Sequence, residues 1–323
     1  MLESEASAPG KIILFGEHAV VYGEPAIAVP VPAVRATARV ADSADGSVRL
    51  ILPDLGYDRR LDEALGRGGE DKSDPFREAV RQVQDAAGLD RLPGLTITLR
   101  SAIPIASGLG SGAATAAALV RALARHLGRP DLATDEQVST LTYEVEKIHH
   151  GTPSGIDNTV VAYERPVYFR RGTPENEIEI FPIADPIRLL IADSGVRSST
   201  RVVVGDVRRG WAAEPEQFEA LFAACGRIAR AGRTALVEGE PERLGQLMNE
   251  NQSHLRAMGV SSPELDRLVE AALTAGACGA KLSGAGRGGN IIALVPAETE
   301  GEAKVRRALL TAGAVRVLAS EVR

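Results

Sequence analysis

Residues 104–114, Pro-Ile-Ala-Ser-Gly-Leu-Gly-Ser-Gly-Ala-Ala, carry the clearest chemistry in the chain, because glycines alternate there just ahead of a long alanine-rich segment. Gly108, Gly110 and Gly112 place no Cβ in the way of a ligand, so backbone N–H groups can turn toward an anion. The helix expected next adds unpaired N–H groups and about half a positive charge at its N-terminus. A phosphate suits such a place. A tight structural turn would use the same residues, and this stretch alone does not separate the two. A second run, Lys281-Leu282-Ser283-Gly284-Ala285-Gly286-Arg287-Gly288-Gly289-Asn290, joins two strand-like segments with more glycine than a hairpin needs. Close backbone approach to a ligand or to the other domain would explain the excess, as would a flexible loop.

Two familiar nucleotide motifs fail. A P-loop needs GxxxxGK followed by Ser or Thr, whereas Gly10-Lys11 precedes Ile12 and Glu5 stands where the first glycine belongs. Gly108-x-Gly110-x-x-Ala113 and Gly284-x-Gly286-x-x-Gly289 satisfy the loose dinucleotide spacing. The second is followed by a strand-like segment, Ile291–Val295. The acidic residues after the first, Asp131 and Asp135, fall in a loop and a helix cap instead of at the end of a second parallel strand.

The elements that must position these loops come from 323 residues, enough for two domains, with 44% hydrophobic and 25% charged residues. No run approaches the roughly 18 apolar residues of a membrane span, and the opening MLESEASA lacks the basic start and apolar core of a secretory signal, so the cytoplasm is expected. A net charge of −6 without a basic, aromatic-interleaved surface argues against nucleic acid, leaving small molecules as partners and a homodimer open. Cys225 and Cys278 form no CxxC pair and read as buried structural thiols.

Patterning predicts strands at Ile12–Phe15, Ala26–Val29, Val34–Val40 and Val48–Leu52, then a surface connection over 53–74. A helix at Pro75–Ala87, a strand at Leu95–Leu99, a helix at Ser111–Leu127 and another from Thr134 or Asp135 to His150 follow, then a β region at Val160–Ile180. The pattern changes at Asp185–Pro186, dividing the chain into 1–185 and 186–323. Beyond it come a strand at Ile187–Ala192, helices at Thr200–Trp211, 215–238, 241–257 and Pro263–Ala275, strands near Ala280–Leu282 and Ile291–Val295, a helix at 299–312 and a strand at Val315–Leu318. Without the inserted helices the order is β-α-β-β-α-β, that of a ferredoxin-like fold. Trp211 and the apolar residues of 215–238 read as core.

The stretch Ala8-Pro9-Gly10-Lys11-Ile12-Ile13-Leu14-Phe15-Gly16-Glu17-His18-Ala19-Val20-Val21-Tyr22-Gly23 closely resembles the opening motif of mevalonate kinases. The Gly108–Ala114 loop resembles the phosphate motif of their superfamily, the galactokinase, homoserine kinase, mevalonate kinase and phosphomevalonate kinase (GHMP) group. His150-Gly151-Thr152-Pro153-Ser154-Gly155-Ile156-Asp157 is similar to its HGxPSGxD segment, and 281–290 to its C-terminal glycine motif. Residues 193–200, Asp-Ser-Gly-Val-Arg-Ser-Ser-Thr, also resemble a mevalonate-kinase segment near the substrate.

The resemblance implies an α+β GHMP kinase fold, with an N-terminal ribosomal-protein-S5-domain-2-like domain and a C-terminal ferredoxin-like one. It implies ATP and Mg²⁺ as cofactors, mevalonate as substrate, Lys11 and Asp157 as catalytic residues, and Glu146 on the metal. Glu17, His18, Val21, Ser154, Arg197 and Thr200 would face the substrate; Ser101 and the loop Pro104, Ile105, Ala106, Ser107, Gly108, Leu109, Gly110, Ser111 and Gly112 would face ATP. Asp157 would accept the alcohol's proton and Lys11 stabilise the phosphate charge. Taken singly these residues read as an ordinary surface lysine, a turn aspartate, a core histidine and a solvated glutamate; four motifs in family order reverse that. Two departures matter. Gly112 stands where relatives carry a serine whose hydroxyl ligates magnesium, and Arg287 and Asn290 replace a glycine and a small residue. Arg287 is either a further phosphate contact or a solvent-facing side chain. A phosphomevalonate or sugar kinase shares the ATP loop, and a regulator without catalysis would fit Gly112; the retained Lys11, Glu146 and Asp157 favour an active kinase.

Overall fold

The computed structural model describes residues 3–61, 74–104, 107–150, 153–173, 175–296 and 299–323, without the side chains of residues 149, 150 and 299. In chain order the elements are β1 Glu3–Phe15, β2 Ala26–Asp42, β3 Val48–Leu52, β4 Tyr57–Arg60, α1 Pro75–Ala86, β5 Leu95–Ser101, α2 Ser111–His126 and α3 Asp135–His150. Then come α4 Ile156–Tyr163, β6 Val167–Arg170, β7 Glu177–Ile180, β8 Ile187–Asp193, α5 Thr200–Ala213, α6 Pro215–Glu238 and α7 Pro241–Ala257. The chain closes with α8 Pro263–Thr274, β9 Gly279–Ser283, β10 Asn290–Val295, α9 Thr299–Thr311 and β11 Arg316–Val322. Among the described residues no helix is long and apolar enough to cross a membrane.

Two compact units emerge: Met1–Lys11 with Val34–Glu164, and Ile12–Ala33 with Arg165–Arg323. The boundary read from sequence at Asp185–Pro186 falls inside the second unit, because β6 pairs with Ala26–Ala28 of β2 and β7 pairs with β6.

In the first unit β2 runs antiparallel to β5, from Ala36 opposite Ser101 to Asp42 opposite Leu95. β3 lies parallel to β5 and carries β4 on its other edge, the parallel pairing requiring the α1 crossover. Asp74 caps α1 by accepting from the N–H groups of Phe76 and Arg77. α2 is buried along nearly its whole circumference and packs on α1, α3, α4 and β5. Its alanines suit that place, being the strongest helix formers and small enough for close approach. The β region expected over Val160–Ile180 is corrected: residues 156–163 are helical, and only β6 and β7 are strands. The β-branched pair Val160-Val161 reads as strand, but Gly155 at φ 91° starts a helix whose Asn158 side chain donates to the Ser139 carbonyl on α3 at 3.1 Å. Helix packing on α3 overrides the local preference.

The second unit's four-stranded sheet has the order β11-β8-β10-β9, antiparallel throughout. With α8 and α9 as its crossovers this is the ferredoxin-like arrangement, and α5, α6 and α7 form the insertion between β8 and α8. Its core joins Leu190, Ala192, Leu282, Ile291 and Ala293 of the sheet to Val203, Val207, Phe222, Leu255, Leu268 and Leu309 of the helices, with Trp211 packed against it. Cys225 is buried in that core and Cys278 half-buried, both unpaired thiols.

Candidate active site

Within the first unit the glycine loop, β1, α3 and α4 bring three charged side chains together. The first α-helical hydrogen bond of α2 runs from the Ala114 N–H to the Gly110 carbonyl at 3.0 Å, so the N–H groups of Ser111, Gly112 and Ala113 point out of the helix end. Gly110, at φ 69°, caps that end without a side-chain acceptor. Lys11 runs along the loop: its N–H donates to the Leu109 carbonyl at 2.9 Å, and a Cβ at Gly110 would stand 2.8 Å from its Cγ. Its ammonium lies 3.0 Å from Asp157 Oδ1, with the lysine side chain 11% and the aspartate 29% exposed. Asp157 sits in the first turn of α4, where the helix dipole favours a carboxylate.

Glu146 completes the cluster from α3. Burial pushes its carboxyl up to about 7, the neighbouring Asp157 charge pushes in the same direction, and Lys11 opposes them. Glu144, two residues earlier, is half-buried and paired with Lys147 at 2.6 Å. The arrangement is a bare helix N-terminus for an anion, a mostly buried cation and two carboxylates, one of which resists ionisation while nothing positive is bound to it.

In the second unit Glu17 and Lys281 form an ion pair with neither side chain reaching solvent; the lysine also donates to the Leu282 carbonyl at 2.6 Å. Burial pushes the Glu17 carboxyl up against the attraction of Lys281. The second Glu17 oxygen is buried without a partner. His18 is in the left-handed region at φ 61°, and its Nε2 meets the Ala285 carbonyl at 2.8 Å. That bond requires the proton on Nε2 and leaves Nδ1 as acceptor, while burial pushes the imidazole pKa down.

The family described as GHMP kinases N terminal domain matches residues 75–165, and GHMP kinases C terminal matches 233–314. The mevalonate kinase of Thermococcus sibiricus is 35% identical over 97% of this chain and 94% of its own. The chain belongs to the GHMP kinases. This GHMP kinase is also 38% identical to the mevalonate kinase of Aeropyrum pernix, over 90% of this chain and 88% of that one. The solved L. major mevalonate kinase in complex with R-mevalonate aligns with a TM-score of 0.83 at 30% identity, covering 99% of this chain and 95% of that one.

The GHMP kinase brings Lys11, Asp157 and Glu146 together, with Leu109 and Gly110 against Lys11. Ser107 donates to the Pro104 carbonyl at 2.7 Å and so shapes the loop from inside. Gly108 and Gly112 have open space where a Cβ would stand. Ser101 accepts the Ile103 N–H at 3.2 Å, and its own N–H donates to Asp54 at 3.1 Å. Ser154 accepts the Ile156 N–H at 3.3 Å ahead of α4. Ile105 and Ala106, residues 151–152 of the HGTPSGID stretch, and 62–73 of the 53–74 connection lie outside the described residues. In the second unit Val21 is 44% exposed beside His18, and Arg197 and Thr200 lie on the exposed segment entering α5. Arg287, left open above, pairs with Asp206 instead of standing in solvent. Lys281 was missed as a partner of Glu17, although a lysine between Ala280 and Leu282 in strand β9 is a signal for a buried ion pair.

Proposed function

We propose that this GHMP kinase transfers the γ-phosphoryl group of ATP to the 5-hydroxyl of mevalonate, giving ADP and 5-phosphomevalonate, a step of isoprenoid precursor biosynthesis. The observation that carries the reading is the Lys11–Asp157 pair at 3.0 Å, lying along a glycine loop that ends in an open helix N-terminus. The mevalonate kinase relatives supply the substrate.

Phosphoryl transfer asks a protein chiefly to position the reactants and neutralise charge. The N–H groups at the start of α2, with residues 104–112 and Ser101, would cradle the ATP phosphates. Asp157 would take the proton from the attacking hydroxyl, and Lys11 would face the charge that spreads over the transferring phosphoryl oxygens. The pair thus serves both ends of the reaction. Each role uses a residue already held in place: the Lys11 backbone by the Leu109 carbonyl, its ammonium by Asp157, and Asp157 by the first turn of α4.

Glu146 is the residue that would hold Mg²⁺. Its fit rests on its own chemistry: a mostly buried carboxylate, raised to about 7 by burial and a neighbouring negative charge, gains most from a hard cation. Among the described residues no cluster of three or more metal-ligating side chains exists, so phosphate oxygens and water would supply the remaining ligands. When bound, the ion would neutralise phosphate charge. The open space at Gly112 accommodates the serine of relatives, so the missing hydroxyl is a lost ligand and not a blocked site.

Glu17, His18, Val21, Ser154, Arg197 and Thr200 are the substrate-facing residues in this reading. The Ala285 carbonyl leaves His18 with an acceptor nitrogen suited to a hydroxyl group, and Arg197 brings the positive charge that a carboxylate calls for. In this reading the enzyme works in the cytoplasm. Turnover with ATP and mevalonate, phosphomevalonate, galactose or homoserine, with the products identified by mass and phosphorus NMR, tests the assignment. Faster turnover of another alcohol than of mevalonate would overturn it.

A further inference from the structure

The excess glycine of 284–289 is used inside the second unit. A Cβ at Gly286 would stand 2.0 Å from the Val260 carbonyl oxygen, and one at Gly288 2.5 Å from that of Val196. The loop is therefore pressed between the turn after α7 and the segment leading into α5. Hydrogen bonds fasten it to that segment: Ser194 N–H to the Gly289 carbonyl at 2.9 Å, Gly289 N–H to the Val196 carbonyl at 2.9 Å, and the Ser198 hydroxyl to the Gly286 carbonyl at 2.7 Å.

Between those two glycines stands Arg287, at φ 54°, where glycine would cost less. A side chain kept in that conformation must be over-determined by its surroundings, and here it is. The Arg287 N–H donates to the Val260 carbonyl at 2.8 Å and Nε to the Gly259 carbonyl at 3.0 Å, while Nη1 pairs with Asp206. Asp206 lies in the second turn of α5 and also pairs with Arg209. One guanidinium thus ties α5 to the 259–260 turn across the glycine loop. Two stretches depend on this tie. Segment 194–199 hangs between β8 and α5, and Ala285, two residues before Arg287, holds His18.

We propose that Arg287 is a positioning residue for the alcohol substrate: by bridging the glycine loop to Asp206 it holds Arg197, Thr200 and the His18–Ala285 contact in one arrangement. The proposal rests on the reading that Arg197, Thr200 and His18 face the alcohol. Ordering that is built into the protein does not have to be supplied when the substrate binds. If loss of the bridge leaves about a tenth of the molecules in the competent arrangement, the apparent substrate constant rises about tenfold.

The test compares wild type with Arg287→Gly, Asp206→Asn, their double variant and Arg287→Lys. Glycine suits the local φ, so Arg287→Gly removes the bridge without straining the backbone. Expected are a KM for mevalonate raised about tenfold in the Gly and Asn variants, a KM for ATP within about twofold of wild type and a nearly constant kcat. The double variant should be no worse than the poorer single one, since both remove the same bridge. Arg287→Lys should lie between, because lysine reaches Asp206 but cannot also donate as Nε does. If the wild type turns over a different alcohol, the mevalonate assignment falls and the comparison is made on that alcohol's KM. Amide exchange over 198–206 reads the bridge without substrate. Unchanged exchange in Arg287→Gly would overturn the bridge; faster exchange with an unchanged alcohol KM, or an equal rise in both KM values, would overturn the positioning role.

Discussion

Glu146 offers the sharpest test of the candidate site, because its environment makes opposite demands with and without a cation. Its carboxyl is raised from 4.5 to about 7 in the folded protein, first by burial and then by Asp157. The folded state therefore holds a proton that the unfolded state has released between those two values. Stability falls as pH climbs from 4.5 to about 7 and then levels off. At about 1.4 kcal/mol for each factor of ten in proton affinity, the full penalty is about 3 kcal/mol. Glu146→Gln has no proton to lose and should escape it. In the absence of metal and nucleotide the variant should be more stable than wild type by about 3 kcal/mol at pH 8, falling to below about 1 kcal/mol at pH 5. Urea unfolding midpoints at pH 5, 6, 7 and 8 measure this. The kinase assay should show the reverse order. On the metal role proposed for Glu146, protons compete with magnesium for the wild-type carboxylate, so its half-saturating magnesium concentration should rise about tenfold per pH unit well below 7, while the variant should require more metal throughout with little pH dependence. A stability difference that does not change between pH 5 and 8 would refute the reasoning outright, whatever the activity.

Asp157→Asn should lower single-turnover phosphorylation of mevalonate by roughly 10²–10⁴-fold with little effect on ATP binding, and Lys11→Met should also lower it; multiplicative losses in the double variant would show that the pair does not act as a unit. Gly112→Ser should keep activity and lower the magnesium needed for half-maximal rate, since a Cβ at 112 meets nothing within 4 Å; an unchanged magnesium titration would remove this position from the metal's surroundings. Lys281→Met leaves a buried carboxylate without its partner and should cost roughly 3–5 kcal/mol in urea unfolding, with Glu17→Gln in the same chain recovering part of the loss. A single variant as stable as wild type would show that the pair is not a buried structural ion pair.

Much of this protein was determined by local sequence. α6 and α7 begin at Pro215 and Pro241 because proline suits a first helical position, and α6 ends at a left-handed Gly239; their limits were readable to the residue. The ferredoxin-like order and the glycine loop before α2 were equally local, since periodicity and glycine placement are properties of short stretches. Where local preference and packing disagreed, only the tertiary structure could decide. Val160-Val161 joined a helix because α3 offers Asn158 and its neighbours a partner surface. β2 continues through Pro30 and Pro32, which suggest a break: the prolines lie between the Ala26–Ala28 ladder with β6 and the Ala36–Asp42 ladder with β5, and β1 pairs with the same strand. The charged pairs lay furthest from legibility. Lys11 meets Asp157, Lys281 meets Glu17 across 264 positions, and Arg287 meets Asp206 across 81. A lysine's type and neighbours in sequence do not say whether it will be solvated or buried. What such a charge does is set by how much water the surrounding fold removes and by which opposite charge the fold brings within reach.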